Sequence, residues 1–270
     1  MAAMPNPIQV VRSVGRNCNN DRSDVFIVQE LINEHLPIPL APLRVDGLCG
    51  PSTIFAIEEI QRRNLHMKCP NGRVDPDGPT FGFLSGSGTR KTASANATAA
   101  QLVGDPRVRA MLDVLGFTEG TGTNYGKVAN GLVLKSPYYP ELVGKRNVSV
   151  TNLTRHPDIL VQWSPTITTT AAGRYQFLIK TWDGLRMPDF SPASQDIAAV
   201  QLMQGREMIA PLLAGYLDEA IHKGAPEWAS LPTASGASYY GGQSARTMLE
   251  ICQFYRAALQ RYPPLPSAGR

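Results

Sequence analysis

The chain has 270 residues, of which 43% are hydrophobic and 18% are charged, so it can bury a sizeable core, and its length favours two domains over one. Its excess of positive charge falls after residue 85: residues 1–85 carry 8 Lys and Arg against 9 Asp and Glu, and residues 86–270 carry 18 against 13. This mild, dispersed excess is not the concentrated basic stripe of a nucleic-acid-binding protein, so we expect no nucleic-acid partner.

The sequence gives no sign of a membrane segment or of export. No stretch approaches the roughly 20 apolar residues of a membrane helix, so we expect no membrane insertion. The first seven residues, MAAMPNP, lack a basic region followed by an apolar region, so we expect no signal peptide and a cytoplasmic location after synthesis.

The first 85 residues contain a helical pattern with a repeated turn. A helix is predicted from Asp24 to His35, because its apolar residues recur on one face and prolines follow it. The turn at residues 45–53 then leads into a second helix, with Gln61 near its end, and a weaker copy of the turn follows at residues 72–80. The apolar residues of the two helices are Val25, Val28, Leu31 and Ile32 in the first and Ile54, Ile57 and Ile60 in the second.

Residues 86–104 are small and polar, and they contain almost no large apolar residue. This composition predicts a flexible linker between a domain over residues 1–85 and a second domain over residues 105–270.

The second domain begins with a helix that ends on a carboxylate. Asp105 is the predicted N-cap and Pro106 the predicted first helical residue. Apolar residues then recur at helical spacing, and Glu119 continues their face before Gly120 ends the helix. Burial and the negative end of the helix dipole should both raise the pKa of Glu119, which suits a general acid near neutral pH. The apolar positions are Val108, Met111, Leu112 and Leu115.

Other chemistries have weak support. The four histidines are scattered and the cysteines have no CxxC spacing, so we expect no metal site and no cofactor. No Gly-x-Ser-x-Gly elbow or phosphate-binding loop occurs. We interpret Trp163, Trp182 and Trp228 as core residues.

Several short motifs occur in a fixed order from about residue 107 onward. Together they resemble the lambda-lysozyme type of phage endolysin, a lytic transglycosylase that cuts peptidoglycan. The motifs are Phe117–Thr121, Arg155–Pro157, Gly173–Gln176, Trp182–Asp183, Phe190–Pro192, Ser194–Asp196 and Trp228–Pro232.

This resemblance implies roles for particular residues. Glu119 would be the catalytic acid, and the cleft would bind substrate through Thr118, Thr121, His156, Tyr175 and Gln176. Whether Arg174 binds substrate or braces its turn stays open.

The first 85 residues resemble the three-helix peptidoglycan-binding domain found at the ends of wall hydrolases. The resemblance rests on the Asp-Gly-x-x-Gly-Pro-x-Thr turn between helices, and the Pro-rich stretch at 37–42 departs from the usual pattern. It implies wall-binding roles for Asp46, Gly47, Gly50 and Gln61.

The two resemblances imply a mainly α protein. A three-helix binding domain would be linked to a lysozyme-like α+β domain, with a small β-sheet from the Thr- and Val-rich residues 146–170.

The mechanism depends on whether a second carboxylate is present. Hydrolytic glycosidases usually pair two carboxyl groups. In the pattern of phage T4-type lysozymes an Asp and a Thr follow the catalytic Glu, but those positions are Val128 and Leu134 here. The family resemblance therefore favours attack by the MurNAc 6-hydroxyl, which gives a 1,6-anhydro product. A hydrolytic muramidase using Glu141 or Asp158, a non-catalytic wall-binding or virion protein, and a wall amidase or peptidase stay open.

The resemblance also implies a biological setting. We expect a monomer whose partner is the peptidoglycan glycan strand. It would be made in the cytoplasm of a phage-infected Gram-negative host, released through a holin, and active on the wall from the periplasm.

Overall fold

A computed structural model describes residues 8–36, 39–86, 97–240 and 245–262. These residues are rich in helix and contain two small sheets, as the mainly α prediction required. No helix among them is both long and apolar enough to span a bilayer. The helices are α1 (Arg22–His35), α2 (Pro51–Arg63), α3 (Pro79–Leu84), α4 (Ala99–Leu102), α5 (Pro106–Thr118), α6 (Ile179–Leu185), α7 (Pro192–Gly205), α8 (Ile209–Leu213), α9 (Leu217–Gly224) and α10 (Met248–Leu259). The strands are β1 (Val14–Gly15), β2 (Arg73–Val74), β3 (Leu132–Lys135), β4 (Leu160–Gln162) and β5 (Thr168–Thr169).

The chain divides into two compact units. The first comprises residues 1–95, 210–220 and 263–270, and the second comprises residues 96–209 and 221–262.

The first unit is built on helices α1, α2 and α3 and the antiparallel pair β1–β2, in which Val14 lies opposite Val74. Helix α1 begins at Arg22, two residues before the predicted start, and the apolar faces of α1 and α2 form a core as their spacing predicted. The fully buried core residues are Val14, Val25, Val28, Ile32, Ile57, Ile60 and Val74.

A buried glutamine holds each of the two similar turns in this unit. In the first turn, the Gln29 side-chain oxygen accepts from the backbone N–H groups of Asp46 (3.1 Å) and Gly47 (2.9 Å). Its amide nitrogen donates to Asp46 Oδ1 (3.2 Å), the Leu48 carbonyl (3.1 Å) and Thr53 Oγ1 (3.2 Å). The glutamine therefore ties the end of the turn and the start of α2 to helix α1.

Gln61 does the same for the second turn. Its oxygen accepts from the Gly72 N–H (2.9 Å), and its nitrogen donates to Asn71 Oδ1 (2.7 Å), the Arg73 carbonyl (2.8 Å) and Thr80 Oγ1 (2.9 Å). Gln61 has no exposed surface. The amide of Gln61 is therefore buried and engaged inside the unit, and its wall-binding role stays a prediction.

The second unit begins earlier than the sequence predicted. Residues 87–96 of the predicted linker lie outside the described residues, but its end is ordered as helix α4. Thr98 and Gln101 form a capping box at the start of this helix, Leu102 is buried, and Gln204 of α7 donates to the Ala97 carbonyl (2.9 Å). Calling residues 97–104 a linker was wrong, because a capping box and one buried leucine fix a short helix within a polar sequence.

A three-stranded antiparallel sheet, in the order β3–β4–β5, forms a small separate core in the second unit. Val133 lies opposite Val161, and both side chains are buried. The predicted sheet region contains β4 and β5, but β3 lies before it. The segment that precedes β3 is joined to the segment that leads to Arg174 by a β-bridge between Val128 and Ala172.

Candidate active site

Helix α5 positions the predicted catalytic residue as the sequence indicated. Asp105 caps the helix by accepting from the Arg107 N–H, Pro106 is the first helical residue, and the predicted apolar face is buried. Glu119 is the C-cap, and Gly120 follows with φ +68°, a left-handed conformation that ends the helix.

The Glu119 carboxyl lies in an environment that favours its protonated form. The residue is half-buried, so its side chain is largely surrounded by protein but retains a path to solvent. Burial raises its pKa to about 7, and a hydrogen bond from Ser230 acts in the opposite direction. The Ser230 Oγ lies 2.6 Å from Glu119 Oε1 and 3.0 Å from Thr118 Oγ1. A carboxyl group with this pKa can donate a proton near neutral pH and accept one later.

The loop after Glu119 folds back onto helix α5. The N–H groups of Thr121 and Gly122 donate to the Gly116 carbonyl at 3.0 and 2.9 Å. A Cβ on Gly116 would lie 2.5 Å from the Gly122 carbonyl oxygen and 3.0 Å from Arg174 Nε. Only glycine permits this close approach, so residue 116 sets how tightly the loop closes beside Glu119.

Arg174 links this loop to three other segments. Its Nε donates to the Gly122 carbonyl (2.9 Å), and one terminal nitrogen donates to the hydroxyls of Tyr125 and Tyr175, both at 3.1 Å. The other terminal nitrogen forms a buried ion pair with Asp113 at 2.5 Å. The sequence left open whether Arg174 binds substrate or braces its turn. In the structure Arg174 is buried and its guanidinium is hydrogen-bonded within the protein, so it braces the turn.

Comparison with known proteins identifies the family. Residues 109–261 match the protein family described as Endolysin. The chain belongs to the endolysin family.

Two phage endolysins are similar to this one. The Endolysin of Escherichia phage lambda is 36% identical over 135 residues, which cover 48% of this chain and 78% of that protein. The Endolysin of Escherichia phage P2 is 33% identical over 170 residues, covering 56% and 92% respectively. A solved structure of bacteriophage lambda lysozyme, complexed with a chitohexasaccharide, is 27% identical with a TM-score of 0.45 and covers 57% of this chain and 94% of that one.

In this endolysin, two residues that we expected to bind substrate lie in the core instead. Tyr175 is 1% exposed, and its hydroxyl donates to Asp196 Oδ1 at 2.6 Å. His156 is 3% exposed, accepts at Nδ1 from the Asp158 N–H (3.1 Å), and therefore donates from Nε2 to the Phe177 carbonyl (2.9 Å). Burial lowers the pKa of His156, which keeps this ring neutral. Each polar group is buried and hydrogen-bonded within the protein, so in this structure neither side chain is free to contact a sugar, and both substrate-binding roles stay predictions.

The remaining predicted cleft residues differ in how accessible they are. Thr121 is buried and its hydroxyl donates to the Arg174 carbonyl at 2.6 Å, so it holds the loop and is not free to bind a sugar. Thr118 is also largely buried, next to Ser230. Gln176 is half-buried, has φ +52°, and donates to the Gly173 carbonyl at 2.9 Å, which fixes its side chain.

The three other predicted wall-binding residues build the first turn of the first unit. Asp46 accepts from the Leu48 N–H at 2.9 Å, and this bond lowers its pKa. Gly47 is buried with φ +70°, and Gly50 is the N-cap of α2. The same unit carries an apolar groove of about 410 Å³, which is lined by Leu36, Leu40, Ala41, Leu43, Pro51, Ser52, Phe55 and Ala56.

The sequence reasoning missed two features of the second unit. Ser230 lies in a motif that we quoted, but no local signal links it to Glu119, 111 residues away. Trp182 and Trp228 are buried as predicted, whereas Trp163 is 46% exposed, so its assignment to the core was wrong. Trp163 follows β4 directly, beyond the end of the small core that the sheet covers.

The described residues hold no group of three or more His, Cys, Asp or Glu side chains arranged to bind a metal ion.

Proposed function

We propose that this endolysin is a peptidoglycan lytic transglycosylase that cleaves the β-1,4 bond between MurNAc and GlcNAc, with Glu119 as its only acid and base. The observation that carries this proposal is a half-buried carboxyl group with a pKa of about 7 at the end of α5. A group with this pKa is present in both protonation states near neutral pH, as a residue that first gives and then takes a proton requires.

The reaction would proceed in two proton transfers. The protonated Glu119 donates its proton to the glycosidic oxygen, the C1–O bond breaks, and the GlcNAc 4-hydroxyl leaves while positive charge develops at C1 of MurNAc. The Glu119 carboxylate then removes the proton of the MurNAc 6-hydroxyl as O6 bonds to C1. Glu119 is again protonated, the product is 1,6-anhydro-MurNAc, and no water is consumed.

The arrangement of the other carboxylates supports this route over hydrolysis. Val128 is fully buried, so the place where the T4-type pattern has its Asp holds an apolar side chain. Asp113 is paired with Arg174 and Arg261, and Asp196 accepts from Tyr125 and Tyr175. Among the described residues, no second carboxylate contributes to the pKa shift of Glu119. The intramolecular 6-hydroxyl needs no such partner, since it is already held beside C1.

The chemical identity of the cut end tests the proposal. Sacculi would be digested in water enriched in ¹⁸O, and the released muropeptides would be analysed by mass spectrometry. We expect 1,6-anhydro ends that are one water lighter than hydrolysed ends and carry no label. Labelled reducing ends would mean hydrolysis with a second carboxylate, and released stem peptides would mean an amidase or peptidase.

Glu119→Gln is the control for the acid in the same experiment. It nearly preserves the shape of the side chain but cannot donate a carboxylic proton, so we expect its rate to fall by a factor on the order of 10²–10⁴. A Glu119→Gln protein that clears sacculi at the parent rate would show that Glu119 is not the acid, and would reopen the non-catalytic interpretation of the site.

We further propose that the first unit binds the cell wall. The apolar groove beside the first turn supports this, because sugar rings offer apolar faces and such grooves bind ligands with a few polar groups nearby. Asp46 and Gly50 flank the start of the helix that supplies Pro51 and Phe55 to the groove. In this proposal the enzyme is a monomer that is released from the host cytoplasm through a holin and acts on the wall from the periplasm.

A further inference from the structure

The segment that carries Ser230 continues into a tightly hydrogen-bonded hairpin. Pro232 pairs with Ser238 in a β-bridge, and the Thr233 N–H donates to the Ala237 carbonyl at 2.8 Å. The Ser238 Oγ then donates to the Ala229 carbonyl at 2.9 Å. The far end of the hairpin is therefore fixed against the residue that precedes Ser230, whose hydroxyl contacts Glu119.

Two exposed tyrosines follow this anchor directly. Tyr239 is 56% exposed and Tyr240 is 48% exposed, and their rings meet edge to face with centroids 5.2 Å apart. The Tyr240 hydroxyl donates to the Pro226 carbonyl at 2.8 Å, so this ring is held in place. Tyr240 in turn supports the Tyr239 ring, and most of the Tyr239 surface faces solvent.

This arrangement suits an aromatic platform for a sugar. An aromatic face is the negative pole of the ring quadrupole, and it attracts the C–H groups on the apolar face of a pyranose. Holding the ring in advance reduces the entropy lost on binding. Other exposed aromatic residues of the second unit are placed differently: Tyr138 is covered by the Arg155 guanidinium at 4.9 Å from its centroid, and Trp163 lies beyond β4.

We propose that Tyr239, supported by Tyr240, forms an aromatic subsite that stacks on an N-acetylhexosamine ring of the glycan strand next to the bond that Glu119 cuts. The subsite determines how strongly a glycan is held in register with Glu119. The proposal rests on the proposed function, because it takes the ligand of the site to be a glycan. Its occupant follows from the connection through Ser238, Ala229 and Ser230, which anchors the residue before the tyrosine pair to the segment whose serine contacts Glu119.

Binding of an uncut glycan tests the subsite. Chitohexasaccharide would be titrated by calorimetry into full-length Glu119→Gln protein, and into the same protein carrying Tyr239→Ala, Tyr239→Phe or Tyr138→Ala. We expect Tyr239→Ala to weaken binding about tenfold, since stacking removes roughly 50 Å² of apolar surface from water. Tyr239→Phe keeps the ring face and should stay within about twofold of the parent by the same estimate. Tyr138→Ala should do so too, because the Arg155 guanidinium occupies one face of that ring.

In the active enzyme, Tyr239→Ala should raise KM for soluble glycan. It should leave kcat and the pH profile unchanged, because the tyrosine ring takes no part in proton transfer. The subsite is refuted if Tyr239→Ala binds like its parent, or if Tyr239→Phe loses as much affinity as Tyr239→Ala. Digestion of soluble peptidoglycan fragments by the same variants separates the two proposals. Cleavage of these fragments by Glu119→Gln protein would refute the assigned acid, whereas unchanged affinity of Tyr239→Ala for chitohexasaccharide would refute the subsite alone.

Discussion

The carboxyl of Glu119 is subject to two opposing effects that together set its pKa. Burial makes the charged form unfavourable, and the Ser230 hydroxyl at 2.6 Å makes it more favourable by donating a hydrogen bond. Without the serine, the carboxyl would be protonated up to a higher pH. A residue that must both give and take a proton works best when neither its protonated form nor its charged form dominates. Among the described side chains, Ser230 brings the free energies of these two forms of Glu119 closer together.

We predict that Ser230→Ala shifts the alkaline side of the pH–activity profile upward. In the proposed mechanism the protonated Glu119 starts the reaction, so activity is lost as pH rises through its pKa of about 7, and removing the hydrogen bond raises that pKa further. The maximal rate should fall by roughly 10–100-fold, the effect of one hydrogen bond to a charged group. Initial rates on soluble glycan between pH 5 and pH 9 would measure both effects.

Ser235→Ala is the matched control for this prediction, because its hydroxyl lies on the same hairpin, is exposed, and contacts Thr233 instead of Glu119. Its profile should match that of the parent enzyme. A Ser230→Ala profile that stays in place or moves to lower pH would mean that Ser230 does not stabilise the Glu119 carboxylate.

Single residues were predictable from the sequence where a local rule decides their position. Asp105, Pro106 and Gly120 were placed correctly, because caps and helix ends depend on neighbours in the chain. The buried positions of Tyr175 and His156 were not predictable, for the opposite reason. Their hydrogen-bond partners, Asp196 and Phe177, lie 21 residues further along the chain, and no local pattern reveals that a polar group is already satisfied.

At the scale of elements, the site depends on one buried arginine that joins helix α5 to the loop after Glu119. Arg174 reaches the loop after Glu119 through Gly122 and reaches helix α5 through Asp113. Asp113 also accepts from Arg261 and from the Tyr262 hydroxyl, both at 2.8 Å, just beyond helix α10. Two positive groups and one phenol therefore share one buried carboxylate, which links the end of α10 to the catalytic loop.

We predict that Arg174→Lys destabilises the second unit and slows catalysis. Lysine keeps the charge but cannot reproduce a planar fork that contacts Gly122, Tyr125, Tyr175 and Asp113 together. Losing two or three such bonds should cost about 3 kcal/mol and lower Tm by roughly 6–12 °C. Because the loop beside Glu119 loses its support, kcat should fall by about 10–100-fold at a temperature where the variant is folded.

Arg206→Lys provides the comparison, since Arg206 forms an exposed ion pair with Glu227 at 2.8 Å. A surface pair of this kind contributes about 0–1 kcal/mol, so its Tm and kcat should barely change. Calorimetry and steady-state rates would be recorded for both variants. If Arg174→Lys behaves like Arg206→Lys, Arg174 does not organise the site.

The helices of the first unit were predicted well. The reason why the turn between them is repeated became visible only in the structure. Apolar spacing was enough to place α1 and α2 to within two or three residues. In the sequence the two turns are similar in the spacing of their Gly-Pro and Thr residues. The structural cause of this similarity is a glutamine at each turn: Gln29 and Gln61 each hydrogen-bond to a Gly N–H and a Thr hydroxyl. Strand β3 was missed because a four-residue strand with half its side chains exposed gives little periodic signal.

At the scale of the whole molecule, the two units are suited to two tasks. The family match covers residues 109–261, and apart from residues 210–220 these lie in the second unit, which holds Glu119 and its supporting network. The groove lies entirely in the first unit. An enzyme that acts on an insoluble polymer gains from a second binding module, because attachment raises the local concentration of the catalytic unit at its substrate. The two activities should therefore be separable by substitution.

We predict that Phe55→Ser weakens attachment to the wall without changing the cut. Phe55 lines the groove and is 52% exposed on α2, so its removal takes away apolar surface at little cost to the core. Co-sedimentation of the full-length protein with sacculi should fall by at least about fivefold, and clearing of intact sacculi should slow with it. Cleavage of soluble peptidoglycan glycan fragments should stay at the parent rate. Val11→Ser, which removes a 79% exposed apolar side chain of the same unit outside the groove, should sediment like the parent. Equal sedimentation of Phe55→Ser and the parent would remove the groove from the wall-binding site, and an equal loss with Val11→Ser would show that attachment is not specific to the groove.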